Sequence, residues 1–498
     1  YDDLDDIVTT TGQAFLGLTV NCARCHDHKL DPFPQADYYR FLAFFRNVQR
    51  YGVRDHESVV SASIRDVGAK EKIDQYREEL TAVEAQIYEI VERVRPDFTA
   101  LEAEEFLTPE ARREIIKRRV PRLLSAAEFQ RYVELTDRRA ELQRQSPEGM
   151  VTVLCVKEHG VVPPASHILI RGNHAAPGEE VEPGFPSVLS PPEPEIKPRP
   201  EANSSGRRTA LANWIADADN PLTARVMVNR IWQHHFGRGI VRSPNNFGLQ
   251  GIPPTHPELL DWLASEFVEQ GWSVKAMHRL IMTSAVYQMS SRPRPEALAK
   301  DPKNELFRRF NMRRLTAEEV RFSILAVNGS INLEKMHGPS IYPVIPEEVL
   351  AGQSRPGSGW ETSAPADRGR RSIYIHVKRS LVTPILASFD VADADFTCPE
   401  RFETTQPAQA LGMLNGEFLN RQAEEFAEFV SEQAGNDPVA QVHLALERTT
   451  QRSPSDAEIN RGVELLAQLK DKHDFDEQRA LTAFCLLAYN LNEFIYLD

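Results

Sequence analysis

Two cysteines and a histidine near the start of the chain have the residue types and the spacing that could do chemistry. Cys22-Ala23-Arg24-Cys25-His26 is a Cys-x-x-Cys-His sequence in a chain of 498 residues that has only five cysteines. At this spacing two thiols reach the two vinyl groups on one edge of a haem, and the histidine that follows is delivered to the iron. The sequence therefore predicts covalent haem c on Cys22 and Cys25, with His26 as the proximal iron ligand.

Other chemistries also use a cysteine pair. A zinc ion could be bound by the two thiols together with His26 or His28, although no second ligand pair follows at the usual spacing. A thioredoxin-type redox pair would need a preceding strand, whereas residues 2–20 carry apolar residues at helical intervals. Haem is the chemistry that the residues favour, and zinc stays open as the alternative cofactor.

The second axial position of the iron would have to be filled from further along the chain. Met150 is the earliest methionine, so there is no methionine close to the motif. His28 follows His26 by two residues and is held on the same face, whereas His56 is far enough away to reach the opposite one. Three later histidines reach the iron only if their segment folds back: His159, His167 and His174. We expect two histidine ligands or an iron without a second ligand, and not His/Met ligation.

The remaining sequence predicts a mainly α fold in four parts. Residues 1–57 carry the motif between helical segments and are expected to form a haem-binding part. Residues 66–147 carry apolar residues at alternating intervals of three and four and predict a coiled-coil helical hairpin. Residues 150–200 hold two β-branched runs, at 151–156 and 167–171, and a Pro-rich connector. Residues 204–498 predict a large helical domain.

Helical periodicity places most of the elements of this last domain. The predicted helices cover 210–216, 224–236, 258–270, 273–287, 316–328, 406–414, 421–433 and 455–469. Capping boxes mark two of the starts: Thr316/Glu319 and Ser455/Glu458. Cys485 lies in an apolar run and is expected in the core.

Charge and composition exclude several classes of function. With 58 Lys and Arg against 72 Asp and Glu, the formal net charge of −14 disfavours general binding to nucleic acid or to an anionic membrane. No apolar run is long enough to span a bilayer, and five cysteines are too few for a disulfide scaffold. The chain begins at Tyr1 without a leader, so we expect a signal peptide upstream of it. Because covalent haem is attached after export, the expected location is periplasmic or extracellular.

Longer stretches of the chain resemble a known pair of bacterial domains. Residues 2–32, which include the motif Cys22-Ala23-Arg24-Cys25-His26-Asp27-His28-Lys29, resemble the end of the planctomycete cytochrome c-like module. The rest resembles the domain of unknown function that follows this module in large secreted proteins of Planctomycetes and related bacteria. The matching motifs include Asn220-Pro221-Leu222-Thr223-Ala224-Arg225, Phe236-Gly237-Arg238-Gly239, Gly271-Trp272-Ser273-Val274-Lys275 and Arg313-Arg314-Leu315-Thr316-Ala317-Glu318. The resemblance implies covalent c-type haem and export, but it implies no established reaction.

The large helical domain has candidate residues of its own. One group could line a pocket: Asn229, Arg230, Trp232, His234 and His235. A set of arginines could bind an anionic substrate: Arg225, Arg313, Arg314, Arg370 and Arg371. The alternative is that the arginines pair with the abundant carboxylates and that four tryptophans are core residues: Trp214, Trp232, Trp262 and Trp272.

Two functional hypotheses follow from the sequence. In the first, the protein is a secreted c-type haem protein that transfers electrons to a redox partner protein. In the second, the helical domain is an enzyme that acts on an extracellular polymer such as polysaccharide, with the haem supplying or draining electrons. Enzyme activity stays open at this point, as does dimerisation through the coiled-coil arm.

Overall fold

The computed structural model describes residues 1–49, 61–64, 70–99, 102, 106, 109–144, 151–394 and 398–497. Helices dominate these residues, and their strands pair only in two-stranded sheets, so the predicted mainly α fold is confirmed. The chain forms two compact units, one of residues 1–9 and 20–216 and the other of residues 10–19 and 217–498. None of the described helices is both long enough and apolar enough to cross a membrane.

The first helix ends before the cysteine motif. α1 (Asp2–Thr11) has three aspartates in its first turn, where carboxylates interact favourably with the helix dipole. A π-helical turn (Gly12–Leu16) follows, and Gly17 then adopts the left-handed conformation, with a φ of 62°, that commonly ends helices. The helix predicted over residues 2–20 is therefore too long, because a left-handed residue interrupts it.

Two long helices form an arm in the first unit. The helices that follow α1 in the first 216 residues are α2 (Gln35–Leu42), α3 (Lys70–Val94), α4 (Pro109–Lys117), α5 (Ala126–Arg144) and α6 (Arg207–Ile215). α3 and α5 pack against each other through their apolar faces. Arg93 pairs with Glu128 and Arg138 pairs with Glu79, so the two helices run antiparallel. α4 lies between them in the chain and was not predicted as a separate helix.

Short antiparallel strand pairs join distant parts of the first unit. β1 (Ser61–Ile64) pairs with β2 (Val151–Leu154), so the chain enters and leaves the arm side by side. β3 (Ser166–Leu169) pairs with β4 (Pro177–Val181) in the connector. β2 and β3 lie within one or two residues of the β-branched runs that predict strands, whereas β1 (Ser-Ala-Ser-Ile) carries no such signal.

The second unit is built from helices around two apolar clusters. Its helices are α7 (Thr223–Phe236), α8 (Pro257–Glu269), α9 (Val274–Met282), α10 (Pro295–Lys300), α11 (Ala317–Val327), α12 (Glu347–Ala351), α13 (Pro365–Arg368), α14 (Pro384–Ser388), α15 (Pro407–Asn415), α16 (Glu417–Ala434), α17 (Pro438–Thr450), α18 (Asp456–His473), α19 (Glu477–Tyr489) and α20 (Asn492–Ile495). β5 (Arg313–Arg314) pairs with β6 (Tyr496–Leu497). One cluster lies mainly among α7, α8 and α9, and the other among α11, α16 and α19. Cys485 is fully buried in the second cluster, as expected.

Local signals located seven of these fourteen helices to within a few residues. Both predicted capping boxes are formed, at the starts of α11 and α18. The helix predicted over residues 273–287 stops earlier, at Met282. α17 and α19 were not predicted; in α19 (Glu-Gln-Arg-Ala-Leu-Thr-Ala-Phe-Cys-Leu-Leu-Ala-Tyr) apolar residues follow one another so closely that no helical period stands out.

Gly462 tests how tightly the second cluster is packed. It is buried inside α18, and a β-carbon there would lie 2.6 Å from Val442 Cγ1 and 2.9 Å from Phe484 Cε2. We expect Gly462→Ala to lower the free energy of unfolding by about 1–3 kcal/mol, because overpacking outweighs the helix propensity of alanine. Gly412→Ala in α15 is the matched control, since its added β-carbon would meet only Ser388 Oγ, at 3.8 Å. Urea denaturation of both variants measures the difference, and equal effects would contradict the packing.

Candidate functional site

The two cysteines of the motif lie on one side of a short 3₁₀ turn (Val20–Arg24) and the residue that follows it. In a 3₁₀ helix, side chains three residues apart project in the same direction. Val20 and Ala23 accordingly face inward and are buried, whereas Cys22 and Cys25 are exposed and carry free thiols. The turn therefore presents both thiols to solvent.

Arg24, between the two cysteines, ties this turn to both neighbouring helices. Its guanidinium pairs with Asp2 at 2.7 Å and with Asp5 at 3.3 Å, both in α1. Its backbone oxygen accepts hydrogen bonds from Tyr39 Oη at 2.8 Å and from Gln35 Nε2 at 3.0 Å, both in α2. One residue of the motif is thus held through its side chain and through its backbone.

Tyr38 completes the network around Arg24. Its hydroxyl donates to Asp5 Oδ1 at 2.5 Å, and its side chain is buried. Burial, together with the Asp5 carboxylate, raises the pKa of Tyr38 far above its usual range, so the phenol stays a neutral donor. The Arg24 guanidinium and, more weakly, His174 lower the pKa of Asp2. The charges of Arg24, Asp2 and Asp5 are therefore paired.

The two ring nitrogens of His26 differ in their hydrogen bonding. Nδ1 lies 2.6 Å from the backbone oxygen of Asp27, a geometry that fits an Nδ1–H donor. In that tautomer Nε2 carries the lone pair, which is the form in which a histidine binds a metal. Asp27 is itself held, because its Oδ1 accepts from the backbone N–H of Gln35 at 2.8 Å. His26 is exposed and leaves Nε2 available for a ligand bond.

His28 is buried and stabilises the turn that follows the motif. Its Nδ1 accepts the backbone N–H of Asp31 at 2.8 Å. Within the part of the chain that the structure describes, no three His, Cys, Asp or Glu side chains are arranged to hold a metal ion.

The connector of the first unit folds back onto the motif. Gly172 has a φ of +72°, and a β-carbon on it would lie 2.8 Å from Cys25 Sγ, so glycine is required beside this thiol. Gln35 Nε2 also donates to the backbone oxygen of Leu169 at 3.2 Å, which holds the end of β3 against α2. His174 follows Gly172 by two residues and is exposed. Sequence reasoning missed this contact, for which Gly172 itself was the available signal.

The other histidines considered as axial ligands have different positions. His167 lies in β3 and pairs with Glu180 of β4. The backbone N–H of His159 donates to the backbone oxygen of Asn47 at 3.0 Å. His56 lies outside the described residues. Of the three connector histidines, His174 is the nearest to Gly172 in the chain.

Two of the five residues considered as a pocket lining in the helical domain, Asn229 and Trp232, belong to its core, whereas His234 is exposed. Asn229 is fully buried, and its side-chain amide bonds the backbone N–H and C=O of Val241 at 2.8 and 2.9 Å. Trp232 is buried as well. His235 Nε2 lies 2.8 Å from His278 Nδ1, and burial lowers the pKa of His235 to about 4, so His235 is neutral at pH 7.

The arginines considered as anion ligands mostly have partners within the protein. Three form ion pairs: Arg225 with Asp261, Arg313 with Glu319, and Arg314 with Asp390. Arg370 is buried and donates to the backbone oxygens of Pro339 and His337, and Arg371 lies over the ring of Phe322. Of the tryptophans, Trp262 differs from the expectation of a core position, because it is 50% exposed.

The exposure of the cysteines gives a direct test of the site. In protein made without haem, Cys22 and Cys25 should react rapidly with a maleimide, as should the exposed Cys398. Cys485 should react only after denaturation, because burial both shields its thiol and raises its pKa. Peptide mass spectrometry after labelling, with and without urea, measures this difference. Slow labelling of Cys22 or Cys25 in the native protein would contradict the exposed turn.

Comparison with known proteins assigns a family to the chain. Residues 1–50, which include the cysteine motif, match the family PSCyt2, described as "Protein of unknown function (DUF1549)". The first segment is therefore similar to a family of unknown function, and this match provides no evidence of a cytochrome c module. No curated protein and no solved structure matches the chain. Residues 207–466, slightly more than half of the 498 residues, match PSD1, described as "Protein of unknown function (DUF1553)", and the chain belongs to this family.

Proposed function

We propose that this protein carries a covalent c-type haem on Cys22 and Cys25, with His26 as the proximal ligand, and passes electrons to a partner protein. The observation that carries the proposal is the arrangement of the motif. Two exposed thiols lie on one side of a short turn, and the Asp27 carbonyl engages His26 Nδ1 and leaves Nε2 free. A haem of this type needs two thiols at one edge and an imidazole nitrogen available for iron.

Covalent attachment is compatible with the state of the cysteines. Each thiol adds its S–H across a vinyl C=C, so a C–S bond forms and the proton goes to the other vinyl carbon, without net oxidation. Free thiols are the form that this addition needs, and Cys22 and Cys25 are free. When bound, a haem supplies one-electron transfer through its Fe(III)/Fe(II) couple.

The side chains around the motif also suit a bound porphyrin. Leu30 and Ile170 are 47% and 59% exposed, and they offer apolar surface close in the chain to His26 and to the Gly172 turn. The missing side chain at Gly172 leaves Cys25 Sγ accessible. Asp2 and Asp5 neutralise the Arg24 cation, so no unpaired charge from Arg24 stands beside the thiols.

For the second axial position the proposal favours His174. A connector histidine reaches the iron only if the connector folds back, and the Gly172 turn lies against Cys25. His174 is exposed, and it contributes weakly to the lowered pKa of Asp2, which is the ion-pair partner of Arg24. His56 is the competing ligand. Because haem is attached after export, the location that goes with this proposal is periplasmic or extracellular.

Production of the chain in a host with c-type cytochrome maturation tests the proposal. We expect one haem that remains attached after denaturation, because thioether bonds survive unfolding, and a peptide map that places it on Cys22 and Cys25. The double variant Cys22→Ser/Cys25→Ser should lose the haem. Cys398→Ser, which removes another exposed cysteine, is the control and should keep it. Protein that binds zinc and carries no haem mass under these conditions would sink the proposal and favour the zinc alternative.

The axial ligands are tested by absorption spectroscopy of the haem-loaded protein. We expect no methionine-to-iron charge-transfer band, because the first methionine in the chain is Met150. His174→Ala should convert a low-spin spectrum to a high-spin one, since the iron loses its second ligand. His167→Ala, in β3, is the matched control and should leave the spectrum unchanged. A methionine band, or an unchanged spectrum in His174→Ala, would show that the assignment is wrong.

A further inference from the structure

A cavity of about 250 Å³ lies in the second unit, with walls from α11, α14 and α16. Much of its lining is apolar and includes Phe389 and Phe418. Nine polar residues share this lining: Arg321, Ser330, Arg368, Thr383, Ser388, Glu417, Arg421, Gln422 and Glu425. Apolar walls that also carry placed polar groups are typical of small-molecule sites.

Arg321 brings an uncompensated positive charge to this cavity. It is 2% exposed, and its Nη1 and Nη2 donate to the backbone oxygens of Arg370 at 2.9 Å and Arg368 at 2.7 Å. Burial lowers the pKa of Arg321 to about 10, so the guanidinium remains charged at pH 7. Backbone oxygens accept from both Nη atoms but do not cancel the charge of the guanidinium. Among the described residues no carboxylate forms an ion pair with it, which is unusual for a buried cation.

The other charged groups of the lining do not cancel this charge. Arg368 donates from Nε to the backbone oxygen of Ser363 at 2.8 Å, and it forms no ion pair within the described part of the chain. Glu417 is paired with Arg421. Burial raises the pKa of Glu425. Even with both glutamates of the lining ionised, its three arginines give the cavity a positive balance.

Thr383 supplies a second, independent observation that points to a ligand site. Its side chain lines the cavity and is 6% exposed, and Oγ1 has no hydrogen-bond partner. A buried hydroxyl without a partner costs free energy, and buried polar groups are normally satisfied by protein, water or ligand. A polar atom of a molecule inside the cavity would satisfy it.

We propose that this cavity binds a small organic carboxylate, with its anionic end at Arg321 and Arg368 and its apolar body against Phe389 and Phe418. Guanidinium groups bind carboxylates through charge-assisted hydrogen bonds, which are stronger than neutral ones. The apolar wall favours an organic body over a bare inorganic anion. A cavity of about 150 Å³ accommodates benzene in another protein, so about 250 Å³ has room for a ring with a carboxylate.

Calorimetric titration of the full chain with benzoate, benzamide and inorganic phosphate tests this proposal. Benzoate should bind with saturation. Benzamide and phosphate should bind at least about tenfold more weakly, because benzamide lacks the negative charge and phosphate lacks the apolar ring. Arg368→Gln should weaken benzoate binding by about tenfold or more, since it removes the charge at a half-buried position. Arg448→Gln is the matched control. Like Arg368, Arg448 donates hydrogen bonds to backbone oxygens, but it does not line the cavity.

A second variant blocks the cavity without removing a charge. Gly412 lines it, and an added β-carbon there meets only Ser388 Oγ, at 3.8 Å. Gly412→Leu should therefore abolish benzoate binding and leave the circular dichroism spectrum unchanged, whereas Gly412→Ala should bind benzoate normally. Equal affinity for benzoate and benzamide, no saturable benzoate binding, or unchanged binding in Gly412→Leu would each overturn the proposal.

Discussion

Residues three apart in a 3₁₀ turn project on the same side, and this geometry puts Cys22 and Cys25 together on the surface. Arg24 stabilises this turn, because its guanidinium pairs with carboxylates of α1 and its backbone oxygen accepts hydrogen bonds from α2. The contact with Asp2 contributes little, since the Asp2 side chain is 92% exposed and water screens the pair. Asp5 matters more, because it is 25% exposed and also accepts the Tyr38 hydroxyl. Because water screens the Asp5 contact less, this inner contact contributes more to stability, although its N–O distance of 3.3 Å is longer than the 2.7 Å of the Asp2 contact.

Backbone pairing over long distances completes the surroundings of the motif. β1 and β2 bring the two ends of the arm together, so the connector can begin close to where the arm began. The connector then reaches the motif through the end of β3, where Leu169 accepts from Gln35, and through Gly172, which lies against Cys25. Only a residue without a side chain permits this approach, so one glycine sets how near the connector comes to the thiol.

Buried arginines in the second unit differ in whether a carboxylate balances their charge. Arg314 is paired with the carboxylate of Asp390, which cancels its charge inside the protein. Arg321 and Arg370 instead donate to backbone oxygens, which accept hydrogen bonds but leave the charges in place. The ring of Tyr374 lies 4.2 Å from the Arg370 guanidinium and offsets part of its charge. Arg321 borders a cavity, so its charge can act on a bound molecule.

Signals that act over a few residues allowed much of the fold to be predicted from sequence alone. The spacing of Cys22, Cys25 and His26, the apolar periods of α3 and α5, and the capping boxes of α11 and α18 are all of this local kind. The sequence by itself determined the candidate motif and the mainly α fold. The tertiary structure alone decided that His28 is buried in a turn, that the connector lies against Cys25, and that Arg321 borders a cavity and forms no ion pair with a carboxylate of the described residues. Gln35 and Leu169 are 134 residues apart in the chain, and such a contact depends on how whole elements pack, which no local pattern records.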